Sequence, residues 1–268
     1  MKIKTQFFLI AILFFTLCKN KPKESINLID LHKTLNITFS FSNATIFTSY
    51  IFIKIYEFLD ICTTTEGQTL KINCIFDVRF TNNVKTYGIC EKKQGEILPI
   101  RLQDCRIKIS GEKTYAEIQG TVELSKYKVY YENLFLELRS SASSVYIQII
   151  NTLSEIFLIE SETIRYFKIS GSIDFGESFI SLSEITVRDD GTRIQIKLDK
   201  SSIETKGCVN QNIQLSSEGF LIFSENGCAE GGIITKDGEK VTIIGGEIQY
   251  EGKAQKCPEL PECPFIQF

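Results

Sequence analysis

From about residue 37 to residue 250 the chain alternates apolar and polar side chains one by one, in short runs separated by turn residues. Successive side chains of an extended strand point to opposite faces, so a period of two calls for half-buried strands. The runs are ITFSFS (37–42), RIKIS (106–110), AEIQGTVEL (116–124), NLFLEL (133–138), SVYIQII (144–150) and EIFLIE (155–160). They continue as FKISGSIDF (167–175), SFISL (178–182), EITVRD (184–189), RIQIKL (193–198), FLIFS (220–224) and VTIIGGEIQY (241–250). Asp-Gly pairs in RDDGT (188–192) and TKDGEK (235–240) supply hairpin turns, with ENG (225–227) another and RSSASS (139–144) a small-residue loop. No long amphipathic helix with caps stands out. SYIFIKIYEFLDIC (49–62) reads as a strand through Ile51, Ile53 and Ile55, or as a short helix through Phe58, Leu59 and Ile61. The predicted class is all-β, with antiparallel sheets forming a sandwich or an open β-jellyroll.

The first residues, MKIKTQFFLIAILFFTLCKNKPKES, carry two lysines, an apolar run from Phe7 to Cys18 and then a polar, lysine-bearing stretch. About a dozen apolar residues are too few for the roughly 20 that span a bilayer, so residues 1–18 are expected to be a signal peptide. Cys18 followed by KNKPKES resembles the processing site of bacterial lipoproteins, which would make Cys18 the lipidation site, although Leu17 is larger than that pattern favours. Cleavage after Cys18 is the alternative. Both routes export the chain. The remainder divides into residues 19–105, a disulfide-containing β region, and 106–268, the repeat-bearing jellyroll or sandwich.

Outside Cys18 there are eight cysteines: Cys62, Cys74, Cys90, Cys105, Cys208, Cys228, Cys257 and Cys263. An even set in an exported chain is expected to form disulfides, paired within the two groups, for example Cys62 with Cys74 or Cys257 with Cys263. No C-x-x-C occurs, and His32 is the one histidine, so neither a metal nor another cofactor is expected. The net charge of −3 comes without clustered Lys and Arg, which argues against a nucleic-acid partner.

One pattern recurs inside the strands. IQGTVEL (118–124), ISGSIDF (169–175) and IGGEIQY (244–250) share Ile, any residue, Gly, polar, Val or Ile, any residue, large apolar. Parity puts Gly120, Gly171 and Gly246 on the apolar face. There a missing side chain leaves room for a bulky neighbour, a bend in the strand or a ligand chain.

This glycine-bearing strand, followed about ten residues later by SEITV or ENLFL, resembles the repeat of the lipopolysaccharide-transport bridge family, the OstA-like and LptC-like β-jellyroll proteins. The resemblance covers residues 116–189, faintly 241–253, and none of the first hundred. It implies a non-catalytic protein of the cell envelope, on its periplasmic face or outer membrane, that handles lipid or lipopolysaccharide. Acyl chains would lie on Val122, Leu124, Ile173, Phe175, Ile248 and Tyr250, and other envelope proteins would meet exposed sheet edges. The competing expectation for those six residues is an ordinary dry core.

Two further readings come from other residues. NIT at Asn36 and NAT at Asn43 are glycosylation sequons, which with the disulfides would suit an extracellular binding glycoprotein of a eukaryotic microbe. For an enzyme, Asp30 and His32 in DLH form an acid–base pair on paper, but His32 reads as an exposed residue near the tether. No G-x-S-x-G, H-E-x-x-H or phosphate-cradling loop is present, and Asp189–Asp190 fit turn chemistry. No enzymatic activity is expected.

Overall fold

The structure is a computed structural model that describes residues 27–78, 81–92, 100–110, 115–139, 144–161, 163–224 and 227–257. Cys18, Cys263 and the expected signal peptide lie outside these residues. The described residues begin with the element that the alternation misread. Residues Leu28–Glu57 form one 30-residue α-helix, α1, so ITFSFS is helical and not a strand. At 1.5 Å per residue α1 is about 45 Å long. The Asn27 side chain caps it, accepting from the N–H groups of Ile29 at 3.1 Å and Asp30 at 3.3 Å. A short helix, α2 (Leu59–Cys62), follows.

The rest is a single antiparallel sheet, as the predicted all-β class requires. Its first nine strands form a meander in which each pairs with the next: β1 (Thr63–Glu66), β2 (Thr69–Val78), β3 (Thr81–Lys92), β4 (Ile100–Ser110), β5 (Tyr115–Ser125), β6 (Lys128–Arg139), β7 (Ser144–Ile159), β8 (Arg165–Asp174) and β9 (Phe179–Asp189). The boundary expected at residue 105 falls inside β4, which pairs with β3 and β5 on either side of a register slip at that point.

At β9 the sheet divides. Its C-terminal half pairs with β10 (Ile194–Lys197) and its N-terminal half with β11 (Ser201–Lys206). Strand β12 (Gln211–Ser217) pairs with β11, and β13 (Leu221–Phe223) with β10; both then meet β14 (Ala229–Thr235). Three short strands, β15 (Lys240–Ile244), β16 (Glu247–Tyr250) and β17 (Lys253–Lys256), complete it.

The sheet curls round α1. Every residue from Thr34 to Ile53 is buried, on all sides of the helix. This explains the misreading: a helix walled in on every face needs no polar stripe, so it lacks the period that would announce it. The curl comes from irregularities in neighbouring strands. Asp104 in β4 and Asn151 in β7 have positive φ, and the register slips beside them and beside Gly120 and Gly171. Such bulges bend and twist a strand. At Asn151 the inward parity changes from Ile147 and Ile149 to Thr152, Ser154 and Ile156, so two expected strands are one bent β7. Likewise SFISL and EITVRD are one strand, β9.

Two of the three repeat glycines sit on this bend. Gly171 has φ +133°, and a Cβ there would lie 2.5 Å from both Cα and Oγ1 of Thr152. Gly120 is pressed in the same way against the backbone of Asn133 and Leu134. The third copy departs from the expectation. Gly245 and Gly246 form the turn between β15 and β16, both with positive φ and open space around them, so VTIIGGEIQY is a hairpin.

Candidate functional site, a filled trough and the cleft at its end

The side chains of α1 explain how so polar a segment can lie inside a sheet. Thr38, Ser40, Ser42, Thr48 and Ser49 donate to carbonyls four residues earlier, and the Asn43 amide reaches the Phe39 carbonyl. The helix thereby satisfies most of its own buried hydroxyls, and each such bond avoids the cost of a buried polar group left alone. What it offers the sheet is apolar: Phe39 stacks on Phe223 at 4.3 Å, Tyr50 meets Phe167 edge-on, and Phe52 meets Tyr131.

Side-chain hydrogen bonds tie α1 to the wall. Thr34 Oγ1 donates to Gln211 Oε1 at 2.9 Å, Ser49 Oγ and Tyr131 Oη lie 2.8 Å apart, and Tyr50 Oη donates to Asp189 Oδ2 at 2.7 Å. Arg165 lies over the Tyr50 ring at 5.1 Å. Burial raises the Tyr50 hydroxyl pKa, and the Asp189 carboxylate beside it adds to that. Burial also raises Tyr131, against the hydrogen bonds from Ser49 and Thr48. Both phenols remain protonated donors across the physiological range.

The expected ligand-binding residues belong to this filled interior. Val122 and Leu124 on β5, Ile173 on β8, Phe175 beyond it and Ile248 on β16 are all buried in one apolar core. Tyr250 packs partly buried against that core. Strands β5 and β8 face α1, so the apolar wall that the sequence assigns to acyl chains is covered by the chain's own helix.

An open apolar surface lies at the C-terminal end of α1. There Phe58, Ile61, Ile75 and Phe76, with Lys54, Asn73, Asp77 and the Cys62–Cys74 pair, line a cleft of about 640 Å³. Ile61 is 83% exposed and Ile75 64%, high values for large aliphatic side chains. Lys54 stands at the rim, paired with Glu57 at 2.7 Å and lying over the Phe58 ring. Ligand pockets commonly hold roughly 300–1,000 Å³ with mostly apolar walls and few polar groups. The sequence signal was present in FLDIC, where apolar residues fall on both parities, but what would leave them uncovered was not.

The other sequence assignments are placed as follows. Cys62 is joined to Cys74, Cys90 to Cys105, and Cys228 to Cys257, which corrects the expected Cys257–Cys263 pair. Cys208 is also disulfide-bonded. Disulfides of this kind suit an exported or oxidising environment. His32 is buried within α1, its Nε2 3.1 Å from the Asn36 amide nitrogen, rather than exposed near a tether. Asn36 and Asn43 are 0% and 2% exposed, so this packed interior has no room for a glycan on either sequon. Both aspartates perform turn chemistry, Asp190 accepting from Thr192 and Arg193 and Asp189 Oδ1 from the Gly191 N–H, while Asp189 Oδ2 is also the buried acceptor for Tyr50.

Among the described residues β1 and β17 each pair on one side alone, so they are the edges where another chain would add. Both are four residues long, and β17 is framed by Lys253 and Lys256, features that discourage strand addition. Among the described residues no three His, Cys, Asp or Glu side chains gather as a metal site, and no helix is long and apolar enough to cross a membrane. No family model matches this chain, and neither does any curated protein or solved structure.

Proposed function

We propose that this is an exported, non-catalytic lipid-handling protein of the cell envelope, held at the membrane through Cys18, and that it takes an acyl chain at the cleft beside the end of α1. The cleft carries the reading: it joins exposed Phe58, Ile61 and Ile75 to a single cationic rim residue, Lys54. An acyl chain would cover the aliphatic side chains, and Lys54 would face an anionic headgroup. Burying Ile61 and Ile75 alone would contribute about 1.5–3 kcal/mol each when fully covered.

The trough behind the cleft is the natural continuation of such a site. Since α1 bonds mostly to itself, the wall it covers is apolar apart from a few partners such as Gln211, Tyr131 and Asp189. A ligand chain sliding inward along β2 would exchange with the helix surface for surface.

The test uses 11-(dansylamino)undecanoic acid, whose emission rises on leaving water. The wild-type chain is expected to bind it saturably, and Ile61→Asp with Ile75→Asp to weaken binding at least tenfold while the unfolding midpoint stays in place. Absence of saturable binding, or binding unchanged in the double variant, would refute the cleft. Intact mass of native material, with or without a diacylglyceryl group on Cys18, decides the anchor separately.

A further inference from the structure

The outer face of the sheet carries a second feature, far from the apolar interior in chemistry. Across β5 to β8 a groove of about 370 Å³ is lined by Glu117, Gln119, Phe135, Glu137, Tyr146, Gln148 and Asp174. These residues are organised as two cross-strand rows. In one, Glu117, Glu137 and Tyr146 stand opposite one another on β5, β6 and β7. In the other, Gln119, Phe135, Gln148 and Asp174 do so on β5 to β8. At about 4.8 Å between strands the longer row spans roughly 14 Å.

The two aromatic residues are in diagonal positions, Tyr146 two residues before the partner of Phe135, a spacing that aromatic side chains can bridge. Tyr146 is 65% exposed and Phe135 49%, so the rings present surface to solvent rather than to the core. Around them stand groups that accept hydrogen bonds: three carboxylates and two side-chain amide carbonyls. Each amide nitrogen makes one of its two possible bonds, Gln148 donating to Asn133 at 2.9 Å and Gln119 reaching Glu117 Oε1 at 3.4 Å. Asp174 Oδ1 accepts from the Gly176 N–H at 2.7 Å, which fixes that carboxylate.

We infer that this groove is a binding site for a neutral oligosaccharide. The occupant must offer an apolar face to the rings and many donors to the acceptors, and it must carry no negative charge beside Glu117, Glu137 and Asp174. A pyranose has a C–H face and a rim of hydroxyls, each able to donate to a carboxylate and accept in turn. Uronic or sulfated sugars are excluded by like-charge repulsion. A basic peptide would satisfy the carboxylates too, but Lys108 stands opposite Glu117 and Arg106 opposite Gln119, so one rim of the groove is already cationic. An uncharged ligand meets both rims without penalty.

The experiment is a titration of the full exported chain with maltotetraose, cellotetraose and chitotetraose, followed by tryptophan-independent readouts, calorimetry and ¹H–¹⁵N spectra. Saturable binding of at least one tetrasaccharide is expected, unchanged between low and high salt and weakened about tenfold by Phe135→Ala with Tyr146→Ala, the loss typical of removing central aromatic contacts. Both side chains are on the outer face, so the spectrum should otherwise keep its native dispersion. Binding of tetralysine in place of the sugars, falling steeply with salt, would overturn the inference in favour of a cationic partner. Absence of binding by all three sugars, or retention of affinity in the double variant, would overturn it outright.

Discussion

Replacing Gly171 by alanine tests whether the bend of the sheet depends on bare backbone. Gly171 has φ +133°, a conformation that side-chain-bearing residues rarely adopt, and holding one there costs about 1–3 kcal/mol. The added Cβ would also sit 2.5 Å from Thr152 Cα and Oγ1 and 2.8 Å from the Asn151 carbonyl oxygen, well inside contact distance. Thr152 has little freedom to retreat. Its hydroxyl has the carbonyl oxygens of Ile150 and Ser172 within reach of its one proton, at 3.0 and 3.1 Å, and accepts from the Ser172 N–H. Overpacking of this kind adds about 1–3 kcal/mol.

Gly171→Ala should therefore lose about 2–6 kcal/mol, or roughly 4–24 °C in Tm for a domain of this size. Gly246→Ala is the internal control: the same repeat position, φ +81°, nothing within 4 Å. It should cost about 1–2 kcal/mol, the backbone strain without the clash. Urea unfolding of both variants under non-reducing conditions, followed by far-UV circular dichroism, reads the difference. Equal losses within about 0.5 kcal/mol, the scatter of ordinary surface substitutions, would refute the close-approach argument.

Two other expectations concern the ties between helix and sheet and the β9–β10 turn. Tyr50→Phe keeps the ring against Phe167 but removes the hydrogen bond to the buried Asp189 carboxylate, so unfolding free energy should fall by about 1.5–3 kcal/mol; a loss below about 0.5 kcal/mol would show that Asp189 is held without it. Partial burial pushes the Asp190 carboxyl pKa upward, but the Thr192 hydroxyl, the N–H groups of Arg193 and Thr192, and Arg188 outweigh it and bring it to about 2 from 3.8. Because the folded value is the lower one, the stabilisation is present above about pH 4 and is lost as pH falls toward 2. Asp190→Asn should flatten the acid limb of the stability profile over that window, and an unchanged limb would contradict it.

The strands β5 and β8 were legible in the sequence because each buries one face and exposes the other, so alternation survives around a bulge, whereas β9 was read as two strands. Helix α1 was not legible, for the reverse reason. A helix buried on all sides can be rich in Thr, Ile and Phe, residues that elsewhere favour strands, since tertiary packing decides its state. The third repeat failed for a local reason: two adjacent glycines can turn the chain, and nothing within the heptapeptide separates a strand glycine from a hairpin glycine. Of the candidate site, Val122, Leu124, Ile173 and Phe175 were found as inward-facing residues, but what they face is another segment of the chain, up to 177 residues away in the hydrogen bonds that α1 makes. The outer groove was illegible because it is assembled from outward positions on four strands, each unremarkable by itself.

The order of elements sets a timetable for folding. Helix α1 is made before any strand, yet Tyr50 meets Asp189 across 139 residues and Thr34 meets Gln211 across 177. Its shelter thus exists only after most of the sheet has been translated and paired, and closing such long loops is slow. Until then twenty consecutive uncharged residues, Thr34 to Ile53, have no wall to lie against. A chain built this way makes a long uncharged segment early and encloses it late, so its yield depends on whatever keeps that segment company in the interval.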